Sequence, residues 1–276
     1  MNRCKHLLIL IISLAACNSV KTQERTIYFP KQDIHVVSLP EKTETLVFIL
    51  AGQSNMAGRG LVEATDTIPS PRIFTINQQS QLILAKEPLH FYEPTRTGLD
   101  CGLSFGKALL KYLPTRYKII LIPTAVGGTK VSQWINDSTH RSVQLLSNFK
   151  EKISLAKQYG TLAGILWHQG ESDANEQNIP TYKTDLIRLF TLFRNVADSP
   201  QLPIIMGELG YFEPNLVNKQ KINDQLKELA EQNNQIGLVA SKGLKCMADN
   251  EHFDAKSIRI LGKRYAAAFH QMQQKK

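Results

Sequence analysis

Apolar residues along the 276-residue chain gather in two kinds of segment that alternate. Short, nearly continuous runs are TLVFILA (Thr45 to Ala51), YKIILIPTA (Tyr117 to Ala125), LAGILW (Leu162 to Trp167), PIIMGEL (Pro203 to Leu209) and IGLVA (Ile236 to Ala240). Their Ile, Val and Leu lack the apolar–polar alternation of a half-exposed strand, which predicts parallel strands covered on both faces. Between and after them come helical patterns: SFGKALLKYL, SVQLLSNFKEKISLAKQYG, PTYKTDLIRLFTLFRNVAD, NKQKINDQLKELAEQN and AKSIRILGKRYAAAFHQMQQ. In the third, Leu186, Leu189, Phe190 and Phe193 share one helical face, while Lys183 and Arg194 take polar positions. Strand and helix in repeated alternation predict one α/β domain with a doubly wound sheet. Such a sheet binds ligands beyond the carboxyl ends of its strands.

The N-terminus does not belong to that pattern. MNRCKHLLILIISLAAC has a basic start at Arg3 and Lys5, an apolar core from Leu7 to Leu14, and then small residues. This is the layout of a secretory signal, too short to remain as a spanning helix. Its ending, LAAC, resembles the bacterial lipobox, which implies cleavage before Cys17 and lipid on the Cys17 thiol. The expected organisation is a signal at 1–16, a membrane-anchored tether and entry segment at 17–43, and the domain at 44–276. The expected location is a membrane surface outside the cytoplasm. Loss of Arg3 and Lys5 with the signal lowers the formal charge from +9 to +7. A lysine-rich surface accounts for that balance, and no basic cluster interleaved with aromatics suggests nucleic acid. Cys101 and Cys246 remain after processing, and export leaves both a disulfide and two separate thiols open. There is no HExxH and no paired CxxC, so no metal site is expected.

Two serines compete for chemistry. GLSFG, Gly102 to Gly106, matches the G-x-S-x-G pattern, yet the preceding EPTRTGLDC has no strand character to form a nucleophile elbow. Ser104 therefore reads as a helix cap. Ser54, in FILAGQSNMAGRG, lies just past the first strong strand, with Gly52 allowing a sharp turn. Other strand ends supply companions. Gly127 and Gly128 follow the second strand, where a backbone N–H can stabilise a developing oxyanion. Gln169 follows the third and offers an uncharged amide donor. Asp249 and His252 precede the last helix at a spacing that lets the carboxylate orient the imidazole toward the serine. Asp254 reads as the N-cap of that helix, His168 as a pocket-shaping strand-end residue, and His35, His90, His140 and His270 as surface or packing residues.

GQSNMAGRG, AVGGT, WHQGESDA and DNEHFD closely resemble the SGNH-type carbohydrate esterases of the sialate O-acetylesterase and acetylxylan esterase family, carbohydrate esterase family six. The resemblance runs from about Thr45 to the final helix. It implies a three-layer α/β/α sandwich with a doubly wound, mainly parallel five-stranded sheet of flavodoxin-like type. It also implies cofactor-free removal of O-acetyl groups from glycans through an acyl-serine. Ser54 would be the nucleophile, His252 the base and Asp249 its partner. The Ser54 N–H, the Gly128 N–H and the Gln169 side chain would form the oxyanion hole. The match leaves Gly127 open beside Gly128, which is preferred because it directly precedes Thr129. Gln53, Asn55 and Glu171 would brace the loops.

Two rival readings remain: an α/β-hydrolase using Ser104, and a surface-anchored glycan-binding protein without chemistry. The sugar is not specified. Arg59, Arg72, Arg96, Lys130 and Trp134 lie in loops that would contact it, and Trp134 either stacks on a sugar face or packs beneath its loop.

Overall fold

The computed structural model describes residues 25–274, so the expected signal and Cys17 lie outside the described residues. The first half of the domain runs β1 (Thr45–Gly52), α1 (Ser54–Ala57), β2 (Ile73–Ile76), β3 (Leu82–Leu84), α2 (Gly102–Leu109) and β4 (Lys118–Pro123). Next come α3 (Val131–Ile135), a small hairpin of β5 (Thr139–His140) and β6 (Val143–Gln144), α4 (Leu145–Tyr159) and β7 (Thr161–His168). The chain closes with α5 (Ile179–Ala197), β8 (Ile204–Gly207), α6 (Leu216–Gln232), β9 (Ile236–Val239) and α7 (Ala255–Gln274).

Seven strands form the main sheet in the order β3-β2-β4-β1-β7-β8-β9. All neighbours are parallel except β3, which runs antiparallel to β2. The five apolar runs of the sequence are β4, β1, β7, β8 and β9. The sheet is wider than the five strands expected, because β2 and β3 extend it beyond β4. β3 has only three residues, and β2, although as long as β8 and β9, has its apolar run interrupted by Thr75, so neither reads as a continuous run. The edge is closed further by the entry segment: the Leu84 N–H donates to the Ile34 carbonyl at 2.9 Å, and the Val36 N–H to the Leu82 carbonyl at 3.2 Å. Unpaired strand groups are thereby covered.

Burial on both faces explains the continuous apolar runs. In β1, Val47, Ile49 and Ala51 enter one core with residues of α4, α5 and α6. Phe48 and Leu50 enter a second core with residues of α2 and α7. The Phe48 ring meets Phe105 and Phe269 edge-on, with centroids 4.8 and 4.9 Å away. From β1 the chain passes to β4 on one side and then crosses to β7 on the other. The sheet order therefore reverses between β1 and β7, and Ser54 and Gln169 follow the ends of these two strands. A crevice at that switch point is the place where such sheets bind ligands.

Candidate active site

The Ser54 turn needs a glycine before it. Gly52 has φ +133°, and a Cβ there would collide with the His168 carbonyl. The Gln53 N–H donates to that carbonyl at 2.9 Å, tying the turn to the end of β7. Ser54 then opens α1 at 7% exposure, and as its first residue it presents an N–H with no acceptor inside the helix.

His252 arrives from the loop before α7. Its Nε2 lies 2.9 Å from the Ser54 Oγ, and its Nδ1 lies 2.7 Å from the Asp249 Oδ2. A carboxylate accepts from Nδ1–H, which leaves Nε2 to take the serine proton. Asp249 also accepts the His252 and Glu251 N–H groups, each at 3.0 Å. Partial burial pushes the Asp249 carboxyl up, but these bonds and the imidazole outweigh it and hold it below the ordinary carboxylate range. Asp254, the rival carboxylate, accepts the Ser257 N–H at 2.7 Å at the start of α7.

The loop after β4 is fixed by two partners that its own sequence does not announce. The Gly127 N–H donates to the Glu93 Oε2 at 2.6 Å, and the Gly127 carbonyl accepts from the His140 Nε2 at 3.0 Å. In a trans peptide the Gly128 N–H points opposite to that carbonyl, away from His140. Gly128 has φ +79°, a conformation that suits glycine. Both glycines line a cleft of about 240 Å³ together with Gln53, Ser54 and His252.

Gln169 is placed differently from the role implied by resemblance. It is 0% exposed and does not line the cleft. Its Nε2 lies 2.6 Å from the Asp173 Oδ2, 3.0 Å from the Thr129 carbonyl and 3.2 Å from the Gln53 Oε1. Two N–H groups facing three internal acceptors are committed. Gln53 Oε1 also accepts the Gly170 and Ser172 N–H groups, at 3.4 and 3.3 Å, which orients that amide. Asn55 clamps the histidine loop: its Nδ2 donates to the Glu171 Oε1 at 2.6 Å and its Oδ1 accepts the Phe253 N–H at 3.1 Å.

Other candidates stand apart. Ser104 lies inside α2, where its Oγ donates to the Cys101 carbonyl at 3.0 Å. The helix is instead opened by Asp100, whose Oδ1 accepts the Gly102 N–H at 2.6 Å. Cys101 and Cys246 are unpaired, Cys101 buried. Burial pushes the His168 imidazole down to about 3, and its Nδ1 lies 3.3 Å from the Tyr265 hydroxyl. Trp134 is buried, donates to Thr129 Oγ1 at 3.0 Å and meets Trp167 edge-on, so it packs beneath its loop. Arg72 is held by the Tyr117 and Pro114 carbonyls. Arg59 grips both Glu93 oxygens at 2.9 Å, whereas Arg96 is exposed on the cleft wall. Arg141 also lines the cleft and pairs with Glu93. Among the described residues no cluster of three or more His, Cys, Asp or Glu is placed to hold a metal ion.

A hydroxyl, an imidazole and a carboxylate in series beside a glycine turn can carry out acyl transfer. Comparison with known proteins gives the family. Residues 44–271 match the family model described as carbohydrate esterase, sialic acid-specific acetylesterase. The chain belongs to that family. It is a carbohydrate acetylesterase and thus a carboxylic ester hydrolase. A relative from Arabidopsis thaliana, named "Probable carbohydrate esterase At4g34215", is 29% identical over 245 residues, covering 81% of this chain and 89% of the relative. The solved structure of that plant protein superposes with a TM-score of 0.73 at 26% identity, covering 82% of this chain and 98% of its own. The fold is shared with NanS, at a TM-score of 0.64 and 16% identity over 87% of this chain and all of the other. It is also shared with a carbohydrate acetylesterase from Xanthomonas citri, at 0.62 and 15%, covering 83% of this chain and 56% of the other.

Proposed function

We propose that this acetylesterase works through an acyl-serine at Ser54 and that its acetylated sugar is a sialic acid. The observation that carries the mechanism is the continuous series from the Ser54 Oγ through the His252 ring to Asp249, with steps of 2.9 and 2.7 Å. Ser54 attacks the acetyl carbonyl as its proton passes to His252 Nε2. The oxyanion is held by the Ser54 and Gly128 N–H groups. The C–O bond to the sugar then breaks, and the departing sugar oxygen takes the proton from His252. Water attacks the acyl-serine with His252 as base, acetate leaves, and Ser54 regains its proton. Gln169 contributes by bracing Gln53 and the Thr129 end of the glycine loop.

The family description favours sialic acid, and the exposed Arg96 on the cleft wall supplies a guanidinium suited to a sugar carboxylate. The test is acetate release from acetylated sialosides and acetylated xylo-oligosaccharides, with Ser54→Ala and Ser104→Ala in parallel. Ser54→Ala loses about ten-thousandfold or more in rate, and Ser104→Ala keeps wild-type turnover. Faster release from the xylo series overturns the sialate reading. An active Ser54→Ala overturns the mechanism.

The protein's location is part of the same proposal. The lipobox-like LAAC supports export and attachment of the catalytic domain to a membrane through Cys17.

A further inference from the structure

The Ser54 cleft, at about 240 Å³, falls below the ~300–1,000 Å³ of pockets that enclose drug-sized ligands. It accommodates an acetyl group and part of one sugar ring, and the rest of a glycan must lie elsewhere. A groove of about 690 Å³ lies next to it. Two loops form the shared rim. Arg141, in the β5–β6 turn, lines both spaces. The segment from His90 to Thr97 places Phe91, Tyr92 and Pro94 on the groove and Arg96 on the cleft.

The groove wall has the chemistry of sugar recognition. Phe91 and Tyr92 line the groove, are half-buried and stand with ring centroids 4.7 Å apart, and aromatic surface of this kind packs well against the C–H side of a pyranose. Gln79 adds an exposed side-chain amide, which both donates and accepts hydrogen bonds from hydroxyls. His90 is 2% exposed, its Nδ1 lies 2.8 Å from Asp100, and its Nε2 has no partner. Two of the four charged residues that line it are paired with carboxylates: the Lys152 ammonium donates to Glu151 at 2.7 Å and to Ser80 at 3.0 Å, and Arg141 pairs with Glu93. The other two carry opposite signs and have neutral partners, Asp33 accepting from Asn77 at 2.9 Å and Lys86 donating to the Gln32 carbonyl at 2.7 Å, so the wall has no net unpaired charge. Such a surface suits neutral hydroxylated rings better than an anion.

We propose that this groove is a glycan subsite. It takes the neutral sugar residues linked to the acetylated one, so the preferred substrate is an oligosaccharide and not a free acetylated monosaccharide. The inference rests on the deacetylation reading above.

The experiment compares kcat/KM on O-acetylated sialic acid, O-acetylated sialyllactose, acetylated xylose, acetylated xylohexaose and 4-nitrophenyl acetate. The variants are Phe91→Ala and Gln79→Trp. Gln79 is exposed, so tryptophan there plugs the groove without removing a buried contact. The wild-type chain is expected to favour the longer sugar of each turned-over pair by about tenfold or more. Both variants erase that preference and leave 4-nitrophenyl acetate turnover within about twofold. Equal kcat/KM for short and long sugars overturns the proposal, as does an equal loss on the small ester. A chain that releases acetate from none of the sugars overturns the deacetylation reading. Calorimetric titration of Ser54→Ala with sialyllactose and xylohexaose then decides the groove separately. Binding that Gln79→Trp abolishes supports it, and no binding, or binding unaffected by Gln79→Trp, overturns it.

Discussion

Glu93 accepts the Gly127 N–H at 2.6 Å, and the same carboxylate holds Arg59 and Arg141. One residue of the β3–α2 loop thereby fixes the glycine loop after β4 and two arginines of the cleft. With the Gly127 N–H occupied, the proposed acyl-serine mechanism relies on the Gly128 N–H. Glu93→Ala is expected to lower kcat on 4-nitrophenyl acetate by roughly tenfold to a hundredfold, because the oxyanion donor loses its support. Unchanged kcat would show that the glycine loop holds its shape alone.

The same residue gives a pH test. Burial at 6% exposure pushes the Glu93 carboxyl up, but the Arg59 charge, the Gly127 N–H and Arg141 pull harder and bring it below its ordinary 4.5. A carboxylate with a depressed folded pKa adds stability that is present above the unfolded value and lost as pH falls through the folded value. The Tm gap between wild type and Glu93→Gln is therefore expected to be full at neutral pH. It closes as acid takes the protein below pH 4.5 and through the lower folded value. A gap that stays constant through that window contradicts the assignment.

Asn55 links the serine turn to both neighbours of His252, through the Phe253 N–H at 3.1 Å and the Glu251 carbonyl at 3.4 Å. Asn55→Ala frees that loop and leaves the Glu171 Oε1 without its 2.6 Å donor. A displacement of about 1 Å at the histidine costs on the order of a hundredfold in rate. Steady-state kinetics should show a fall in kcat larger than any change in KM. Asn55→Asp is not expected to rescue, since it supplies no N–H to Glu171 and adds a like charge. Full rescue by Asp would mean that only the Phe253 contact matters.

The parts of the site that were legible in sequence are those that sit next to a legible strand. Continuous apolar runs marked β1, β4 and β7 because both faces of each are buried, and Ser54, Gly128 and Gln169 follow directly from those ends. Asp249 and His252 were legible as a local pair whose spacing needs no tertiary information. Glu93 and Arg141 left no such mark. Each sits in an irregular loop, and a charged residue there looks solvated until the fold brings β4's glycines against it. His140 reads from sequence as a surface or packing residue for the same reason, yet its ring holds the Gly127 carbonyl. Ser104 shows the opposite error of pattern: the five-residue motif is present, but the serine lies within α2 and bonds to the preceding turn.

If LAAC directs lipid to Cys17, the domain is tethered by acyl chains and not by a spanning helix. A replacement that removes the thiol removes the anchor and leaves the fold untouched. Cys17→Ser is expected to shift the protein from the detergent-extracted membrane fraction to the soluble fraction with its esterase activity intact. Fractionation followed by 4-nitrophenyl acetate assay measures both. An undiminished membrane fraction contradicts the lipoprotein reading.

Gln169 separates two kinds of contribution that lower activity alike. An oxyanion donor acts only in the transition state, so its loss costs about a hundredfold or more in kcat and little stability. A buried brace acts in the ground state. Removing the Gln169 amide withdraws two N–H groups from the set of Asp173, the Thr129 carbonyl and the Gln53 Oε1. Asp173 keeps the Val131 N–H and Gln53 keeps the Gly170 and Ser172 N–H groups, and a buried polar group left unmet, here the Thr129 carbonyl, costs about 1–3 kcal/mol. Asp173 adds to that cost. Burial raises its carboxyl above the ordinary range, and the Gln169 bond is the strongest influence opposing the shift. Gln169→Ala is therefore expected to lower Tm by several degrees together with kcat. Restoring Tm by a compensating substitution at Asp173, such as Asp173→Asn in the Gln169→Ala background, should then recover part of the lost rate. A large fall in kcat at unchanged Tm, with no recovery in the double variant, would instead place the Gln169 amide on the reacting oxygen.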